Sequence, residues 1–399
     1  MTSDHRYGVA DLAQPSRMLT PARDGARAMP RLRNIPRADW IALADRAVEP
    51  NGYYLPDWAL AVDATARGRS DLAALCAHDD QGALIAVLPV ISARRALRLP
   101  LPLLVAAEAY GTLQTPLLDR DGAVDAASRL IAEALRTGAH ALLLRDIPLS
   151  GAAMTAFATA LARQGLKPTL LRSYQRACLD ASQQAELLLK DALGGKKLKE
   201  LRRQRQRLSE FGAVSFNVAT TPAEVTAALE TFLVLEASGW KGARGTALAQ
   251  HAGDSIFIRR ATAALAAKGQ CLIAMVSAGS TPIAAGIVLK QQSRAFWFKL
   301  GTNPQFSKFS PGVQLAVDLT RHVCADPDIS MVDSTAAAGN RLIEPIWRGR
   351  MQMGDVMIPL RAHDPWVPVI RTALRLHQAA EHSARRAIRA VRSLKTALR

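Results

Sequence analysis

Residues 294–315 read RAFWFKLGTNPQFSKFSPGVQL, and this stretch decides the fold because it joins a strand to a helix. Its first seven residues alternate in character with the period of two that a β-strand requires. Glycine, asparagine and proline then break the strand, and a polar loop carries Lys308. Ser310 followed by Pro311 predicts a helix start, with serine as the N-cap and proline in the first turn.

A strand that runs through a loop into a helix N-terminus predicts an anion-binding site. The first-turn N–H groups of a helix lack intrahelical partners, and the helix dipole favours negative charge at that end. On local grounds alone, an ordinary strand-to-helix connection explains the pattern equally well.

The composition indicates a folded, basic protein. The chain has 399 residues, half of them apolar, and a formal net charge of +17, enough for two or three domains with sizeable cores. The charge favours an anionic partner, whether a phosphate-bearing cofactor, nucleic acid or a membrane surface. The alternative is that the arginine and alanine content only reflects a GC-rich coding sequence.

Cysteine and histidine spacing indicates neither a disulfide framework nor a metal site. The four cysteines are widely spaced and no CxxC occurs, while the eight histidines show no paired metal-ligand spacing. A reducing, cytoplasmic location is expected, because the N-terminus has no apolar signal core. The longest apolar run, residues 99–107, is short and broken by proline.

The order of predicted elements divides the chain into four parts. Residues 1–35 are expected to be a flexible tail, and residues 36–181 and 182–361 each predict a meander followed by helix, strand, helix and strand. The predicted fold class is therefore α/β, with two tandem units that each contain a mixed sheet flanked by helices. Residues 362–399 predict a basic amphipathic helix. It either packs back on the domains or lies on an anionic membrane surface.

Four runs carry a resemblance to a known family. They are YGTLQTPLLD at 110–119, KKLKELRRQRQRLSEFGAVSF at 196–216, LEASGWKGARGTAL at 235–248 and FSPG at 309–312. With the order of elements over residues 40–360, they resemble the acyl-CoA N-acyltransferases of the GNAT superfamily. The nearest branch has two such units in tandem and includes the acetyltransferases named after cellulose biosynthesis proteins. The Fem-type transferases, which use aminoacyl-tRNA, share this architecture.

The resemblance implies where acetyl-CoA or another acyl-CoA would bind. In the superfamily the pyrophosphate lies at the N-terminus of the helix after the central strand, and the thioester lies along that strand, whose main chain supplies the oxyanion donor. The residues implied to hold the cofactor are Lys308, Phe309, Ser310, Gly312, Val313 and Gln314.

The two units differ in charge at this place. The first carries Asp119, Asp121 and Asp125, which would repel a pyrophosphate at close range. We therefore expect only the second unit to bind CoA.

The candidates for acid–base chemistry and acceptor binding are less specific. Asp333 and Ser334 end the strand after the phosphate helix and are expected to face the cleft. Lys299 is a catalytic candidate, provided that it lines the cleft rather than the solvated side of the sheet. The acceptor is expected to meet Glu236, Trp240, Lys241 and Trp297. The alternatives are an exposed helix carboxylate for Glu236 and a core position for Trp240.

One departure from the superfamily concerns the acid that protonates the leaving thiolate. Many members use a tyrosine, but this chain has no tyrosine after Tyr174. Ser334, water or Tyr110 reaching over from the first unit would have to replace it.

Three functions fit these observations. The leading hypothesis is acyl transfer, with acetyl as the expected group, to the amine of a sugar, amino acid or envelope precursor by direct attack and without metal. The second is a Fem-type transferase whose basic helix at 196–207 would hold tRNA. The third is a non-enzymatic adaptor on anionic membranes, with peripheral attachment at the inner membrane face.

Overall fold

The computed structural model of the protein describes residues 29–397, with side chains other than those of residues 382 and 384–397. Residues 1–28 of the predicted tail 1–35 lie outside the described residues, as do the side chains of residue 382 and residues 384–399 of the predicted amphipathic helix.

Helices occupy both faces of a sheet. The α-helices are α1 Arg37–Asp45, α2 Pro56–Thr65, α3 Ala93–Leu97, α4 Ala123–Arg136, α5 Ala152–Ala162, α6 Ala185–Leu208, α7 Pro222–Ser238, α8 Trp240–Ala243, α9 Ala252–Ala266, α10 Pro311–Ala325 and α11 Trp366–Ala397. Short 3-10 helices lie at Leu32–Asn34, Gly52–Tyr54, Ser209–Phe211, Leu248–Gln250 and Pro304–Phe309.

The strands form one continuous mixed sheet. They are β1 Ala73–His78, β2 Leu84–Ser92, β3 Leu103–Ala106, β4 Leu117–Leu118, β5 Ala141–Pro148, β6 Thr169–Asp180, β7 Val214–Ala219, β8 Cys271–Ala278, β9 Thr281–Gln291, β10 Arg294–Thr302, β11 Met331–Asp333 and β12 Gly349–Pro359. Their order is β1-β2-β3-β5-β12-β6-β11-β10-β9-β8-β7, with β4 paired to β2. The predicted mixed α/β class is confirmed.

The last strands of the two halves are exchanged. β12, from the end of the second half, lies between β5 and β6 of the first half. β6 in turn pairs with β11 of the second half. The division at residues 181 and 182 stays a prediction, and the structure adds that the two chain segments share a single sheet.

Two parallel strand pairs interrupt the antiparallel sheet. β3 pairs with β5 from Leu103 opposite Ala141 to Val105 opposite Leu143. β10 pairs with β11 from Arg294 opposite Met331 to Phe296 opposite Asp333. The other strand pairs of the sheet are antiparallel. Beyond the third residue pair the parallel strands separate, and we call these two places the first fork (β3 and β5) and the second fork (β10 and β11).

The loop after β10 corrects the sequence expectation. Residues Pro304–Phe309 form a 3-10 helix rather than a polar loop, since its Phe306 and Phe309 side chains are buried. Ser310 has a left-handed backbone with φ of 53°, and its hydroxyl caps nothing. The N–H groups of Val313 and Gln314 instead donate to the main-chain carbonyl of Ser310. The prediction that the Ser310 side chain caps α10 was therefore wrong.

An aromatic cluster joins helices of the first half to β10 of the second. Trp58 of α2 packs edge-on against Phe298 of β10, with ring centroids 4.8 Å apart, and against Phe257 of α9 at 5.0 Å. Its indole N–H donates to the Ala109 carbonyl at 2.6 Å. Such offset and edge contacts between buried rings add to the stabilisation by burial alone. The two halves thus share a core as well as a sheet.

The C-terminal helix α11 packs on the first half through its first turns. Ile370 and Leu374 are buried in a small apolar cluster with Leu103 and Leu143. Among the described residues, no helix combines the length and the apolar character needed to cross a bilayer.

A buried ion pair ties β6 to β11. The Arg176 Nη1 atom lies 3.2 Å from Asp333 Oδ2, and both side chains are 1% exposed. The same guanidinium donates to the carbonyl of Thr112 and the hydroxyl of Tyr174. Burial alone would lower the pKa of Arg176, but Asp333, Tyr174 and Asp146 together more than offset this effect, so the guanidinium stays charged.

Asp333→Asn is expected to lower the free energy of unfolding by about 3–5 kcal/mol, because it leaves Arg176 charged and buried without its counter-ion. Urea denaturation measures this change. The matched control is Glu230→Gln, which breaks the exposed pair with Arg259 and should cost about 1 kcal/mol or less. Equal effects of the two substitutions would contradict the structural role of the buried pair.

Candidate functional site

A cavity of about 340 Å³ opens at the second fork. β10 and β11 bound it, together with α8 and the turns that follow β11. Five of the residues singled out in the sequence line this cavity, namely Trp240, Lys241, Trp297, Lys299 and Ser334. The fold thus brings together residues that lie far apart in the chain.

A β-bulge shapes the wall of the cavity formed by β10. The register against β9 shifts between Trp297 and Lys299, which leaves Phe298 as the extra residue. Bulges bend a strand and re-aim its side chains. On the other edge, Thr335 donates its hydroxyl to the Trp297 carbonyl at 2.6 Å, and the Lys241 ammonium donates to the Leu300 carbonyl at 3.0 Å. Side chains thus take the place of a strand partner beyond the fork.

Glu236 is a buried centre of charge behind the cavity. It is 2% exposed, which excludes the exposed helix carboxylate considered from the sequence. Its Oε1 atom lies 3.1 Å from Nζ of both Lys241 and Lys299, and its Oε2 accepts the Leu248 N–H at 2.9 Å. Gly301 allows α7 to come this close, since a Cβ there would lie 2.8 Å from the Glu236 nitrogen.

The two lysines give the cavity wall a net positive charge. Both line the cavity, while the single carboxylate that they share lies behind them. Burial lowers the pKa of the Lys241 ammonium, and the Glu236 carboxylate offsets this effect only in part. Lys241 therefore loses its proton more readily than a surface lysine does.

Ser334 and Asp333, predicted together, have different positions. Ser334 lines the cavity, and its Oγ accepts the Ala336 N–H at 3.3 Å. Asp333 is fully buried in the ion pair with Arg176 and also accepts the Thr335 N–H at 2.7 Å. The expectation that Asp333 faces the cleft was wrong, because neighbours along an extended chain point to opposite sides.

Tyr110 lies near the cavity, but its hydroxyl proton is donated to the carboxylate of Asp254. Its hydroxyl donates to Asp254 Oδ2 at 2.8 Å, and its ring stacks on Phe257. Burial, reinforced by the hydrogen bond to Asp254, raises the pKa of Tyr110 above its usual value. Of the proton donors considered from the sequence, Ser334 and water therefore have the direct access that Tyr110 lacks.

The two tryptophans occupy opposite environments. Trp240 is 62% exposed at the rim of the cavity, with the Arg244 guanidinium 4.8 Å from its ring centroid. Trp297 is buried, packs on Trp347 and has an indole nitrogen with no hydrogen-bond partner among the described residues. The core alternative raised for Trp240 does not hold, whereas Trp297 is part of the core as well as the cavity wall.

The start of α10 is more enclosed than the sequence implied. Phe309, Gly312 and Gln314 are buried, and the Gln314 amide donates to the Leu201 carbonyl of α6. The side chain of Leu342 lies on Gly312, where a Cβ would be 2.6 Å from its Cδ1 atom. These three residues are therefore not open to a ligand in this conformation. Lys308 is exposed, and Ser310 and Val313 are half-buried.

Two residues of this site have no place in the sequence-based set. Thr335 follows the predicted pair at the end of β11, so its position beside the cavity could have been inferred from them. Leu342 lies in the turn region after β11, and no local pattern indicates that it covers α10. Among residues 29–397, no group of three or more His, Cys, Asp or Glu side chains could hold a metal ion.

Part of the chain matches a known family of protein domains. Residues 195–340 match the family model described as the acetyltransferase (GNAT) domain. These residues contain β10, α10, β11 and the lining residues of the cavity other than Leu342 and Ile343. No curated protein matches the sequence significantly.

Solved structures show the same fold over most of the chain. FemX matches with a TM-score of 0.55 and 11% identity, covering 85% of this chain and 99% of FemX. The C-terminal domain of a putative lysylphosphatidylglycerol synthetase from Agrobacterium fabrum matches with a TM-score of 0.51 and 13% identity, covering 85% and 97%. A conserved protein of unknown function from Bacteroides thetaiotaomicron gives 0.50 and 13%, covering 83% and 99%. The chain therefore contains a GNAT-type domain at residues 195–340 and shares the fold of these structures over most of its length.

Proposed function

We propose that the protein transfers an acyl group, with acetyl as the expected one, from acyl-CoA to the amine of a sugar, an amino acid or an envelope precursor. The observation that carries this proposal is the cavity at the second fork. Most of its lining residues belong to the GNAT domain, and the ammonium groups of Lys241 and Lys299 form part of its wall.

The surface at the start of α10 supports binding of the CoA nucleotide. Lys308 forms no ion pair with a described residue, and its Nζ lies 4.9 Å from the Phe309 ring and 6.0 Å from that of Phe211. Phe211 is 53% exposed, and the Arg207 guanidinium lies 6.0 Å from the Phe309 ring. Cations beside an exposed aromatic face suit phosphates and a nucleotide base.

Access to the first turn of α10 requires a local movement. Because Leu342 covers Gly312, a diphosphate reaches the first-turn N–H groups only when that side chain turns aside. Leu342 also lines the cavity at the fork. Its movement would therefore connect the thioester end of the donor with the phosphate end.

In the proposed step the neutral amine attacks the thioester carbonyl carbon directly. A C–N bond forms, the C–S bond breaks, the nitrogen loses a proton to water, and the thiolate takes a proton from water or from Ser334, which water then reprotonates. The positive charge of Lys299 and the main chain of β10 beyond the fork would stabilise the oxyanion of the tetrahedral intermediate. Glu236 positions both lysines.

A covalent cysteine relay has no support in the structure. None of the four cysteines lines the cavity. Burial raises the pKa of Cys178 to about 11, and Asp333 nearby adds to this effect, so little nucleophilic thiolate exists at neutral pH.

Two other partners remain as alternatives, each with its own observation. The outer face of α6 exposes a row of cations that would suit the phosphates of an aminoacyl-tRNA donor, namely Lys196, Lys197, Lys199, Arg202, Arg203 and Arg207. On α11, exposed Trp366, Val369 and Leu376 accompany exposed arginines, a composition that suits an anionic membrane surface. A cytoplasmic location with peripheral attachment to the inner membrane face stays a prediction.

Thermal unfolding of the full chain with acetyl-CoA, with aminoacyl-tRNA and with anionic liposomes separates these functions. Acetyl-CoA at a hundred times its dissociation constant should add about 2.7 kcal/mol to the free energy of unfolding and raise the melting temperature. A higher melting temperature with aminoacyl-tRNA alone would favour the Fem-type hypothesis. A higher melting temperature with liposomes alone would favour the membrane adaptor.

Lys308→Glu is expected to abolish the stabilisation by acetyl-CoA, because it places a negative charge where the phosphates would lie. The matched control is Lys167→Glu, the same change at an exposed lysine between α5 and β6. Retention of the acetyl-CoA effect in Lys308→Glu would move the phosphate site away from α10.

Lys299→Met is expected to lower kcat by about a hundredfold, since one cation beside the developing oxyanion is lost. Its acetyl-CoA-dependent rise in melting temperature should remain, because Lys299 lies on β10 and not at the start of α10. Steady-state kinetics with a panel of amine acceptors measures the change, with Lys167→Met as the control. Undiminished turnover in Lys299→Met would exclude this lysine from the reaction.

A further inference from the structure

A second cavity, of about 310 Å³, lies at the first fork. Its wall includes residues 105–108, which begin at the last β3 residue paired with β5, and Arg145, two residues beyond the last paired β5 residue. The cavity at the second fork has the same relation to β10 and β11. Both forks of the sheet thus open into a space of similar size.

The charge of this cavity is its distinguishing feature. Four arginines line it, namely Arg67, Arg69, Arg95 and Arg145. The only carboxylate among its lining residues is that of Glu108, which lies 3.2 Å from Arg69. One acid against four guanidinium groups leaves a surplus of positive charge in a concave site. A concave site with excess positive charge favours the binding of an anion.

Three of these guanidinium groups, those of Arg67, Arg95 and Arg145, form no ion pair with a described acidic residue, and Arg67 contacts the His251 ring instead. Arg145 has no hydrogen bond or ion pair with any described residue of the chain. Arg95 donates to the main-chain carbonyls of Ser70 and Asp71, which hold its side chain in place without cancelling its charge. Arg95, which is held in place, and Arg145, which has no partner among the described residues, can together bind phosphate oxygens from two directions.

Tyr110 connects this cavity to the one at the second fork. The Arg69 guanidinium lies 4.4 Å from the centroid of the Tyr110 ring, and Nζ of Lys299 lies 5.8 Å from the same centroid. Cations from both cavities therefore meet a single ring. These distances place Arg69 of the first cavity and Lys299 of the second close enough for one acceptor molecule to reach both.

We propose that the cavity at the first fork binds a phosphate or diphosphate group of the acceptor, whose amine then reaches the second fork. The role as acceptor anchor rests on the proposed acyl transfer, whereas the anion site itself does not. A volume of about 310 Å³ lies at the small end of ligand pockets, so it suits a head group rather than a whole nucleotide. The phosphate can belong to a soluble ester or to a lipid head group.

Isothermal titration calorimetry of the full chain with inorganic pyrophosphate tests the site. We expect binding to wild type and a loss of about tenfold or more in affinity in Arg145→Gln, because a charge-assisted hydrogen bond is removed. Arg94→Gln is the matched control, since this exposed arginine neighbours Arg95 on α3 but does not line the cavity. Equal pyrophosphate affinity in wild type and Arg145→Gln, or no binding to wild type, would overturn the proposal.

A second variant and acetyl-CoA binding keep the outcomes distinct. If Arg145→Gln lacks a native thermal transition, Arg95→Gln takes its place with the same expected loss. Arg145-dependent pyrophosphate binding in a protein that acetyl-CoA does not stabilise would support the anion site and reject the acyl-CoA proposal. Stabilisation by acetyl-CoA with no arginine-dependent pyrophosphate binding would support the acyl-CoA proposal and reject the anion site.

Vesicles identify the source of the phosphate. Arg145→Gln reduces sedimentation with phosphatidylglycerol–phosphatidylcholine vesicles if the group is a lipid head group. If vesicle binding is unchanged while pyrophosphate binding falls, the site takes a soluble phosphate ester. Either result supports the anion site.

Discussion

The buried ion pair between Arg176 and Asp333 is the constraint on which the rest of the structure depends. Asp333 is the last residue of β11 paired with β10, and Arg176 lies on the exchanged strand β6. A guanidinium and a carboxylate that are both 1% exposed can be accommodated only together, since either alone would be a buried unpaired charge. The pair thus fixes the base of the second fork at the place where the two halves of the sheet meet.

The cavity above this base combines fixed charge with a closely packed wall. Glu236 holds Lys241 and Lys299 in one geometry. The ring of Trp58 packs edge-on against that of the bulged residue Phe298. Because the carboxylate is buried behind the lysines, their ammonium groups give the cavity wall its positive charge. Pre-positioned charge of this kind needs little reorganisation during a reaction, which makes it effective in catalysis.

The two forks share a backbone geometry and differ in what the chain places around them. The sequence drew attention to acids of the first half, yet Asp119 is compensated by Arg46, whose Nε lies 2.5 Å from its Oδ2. The first fork is instead surrounded by arginines from α2–β1, α3 and β5. The three aspartates singled out in the sequence do not line this cavity. This difference suits the proposed division, in which the first fork binds the acceptor's phosphate and the second fork holds the reacting groups.

The sequence by itself determined the local elements, the mixed α/β class and the resemblance to GNAT transferases, because strand and helix periods repeat over a few neighbouring residues. Lys299 and Ser334, both singled out in the sequence, line the cavity at the second fork. Only the tertiary structure decided that β12 enters the sheet of the first half, that Glu236 meets Lys299 63 positions away, and that Asp333 pairs with Arg176 157 positions away. Such contacts depend on which strands lie side by side and which groups lose water together, and no pattern within a short window encodes either.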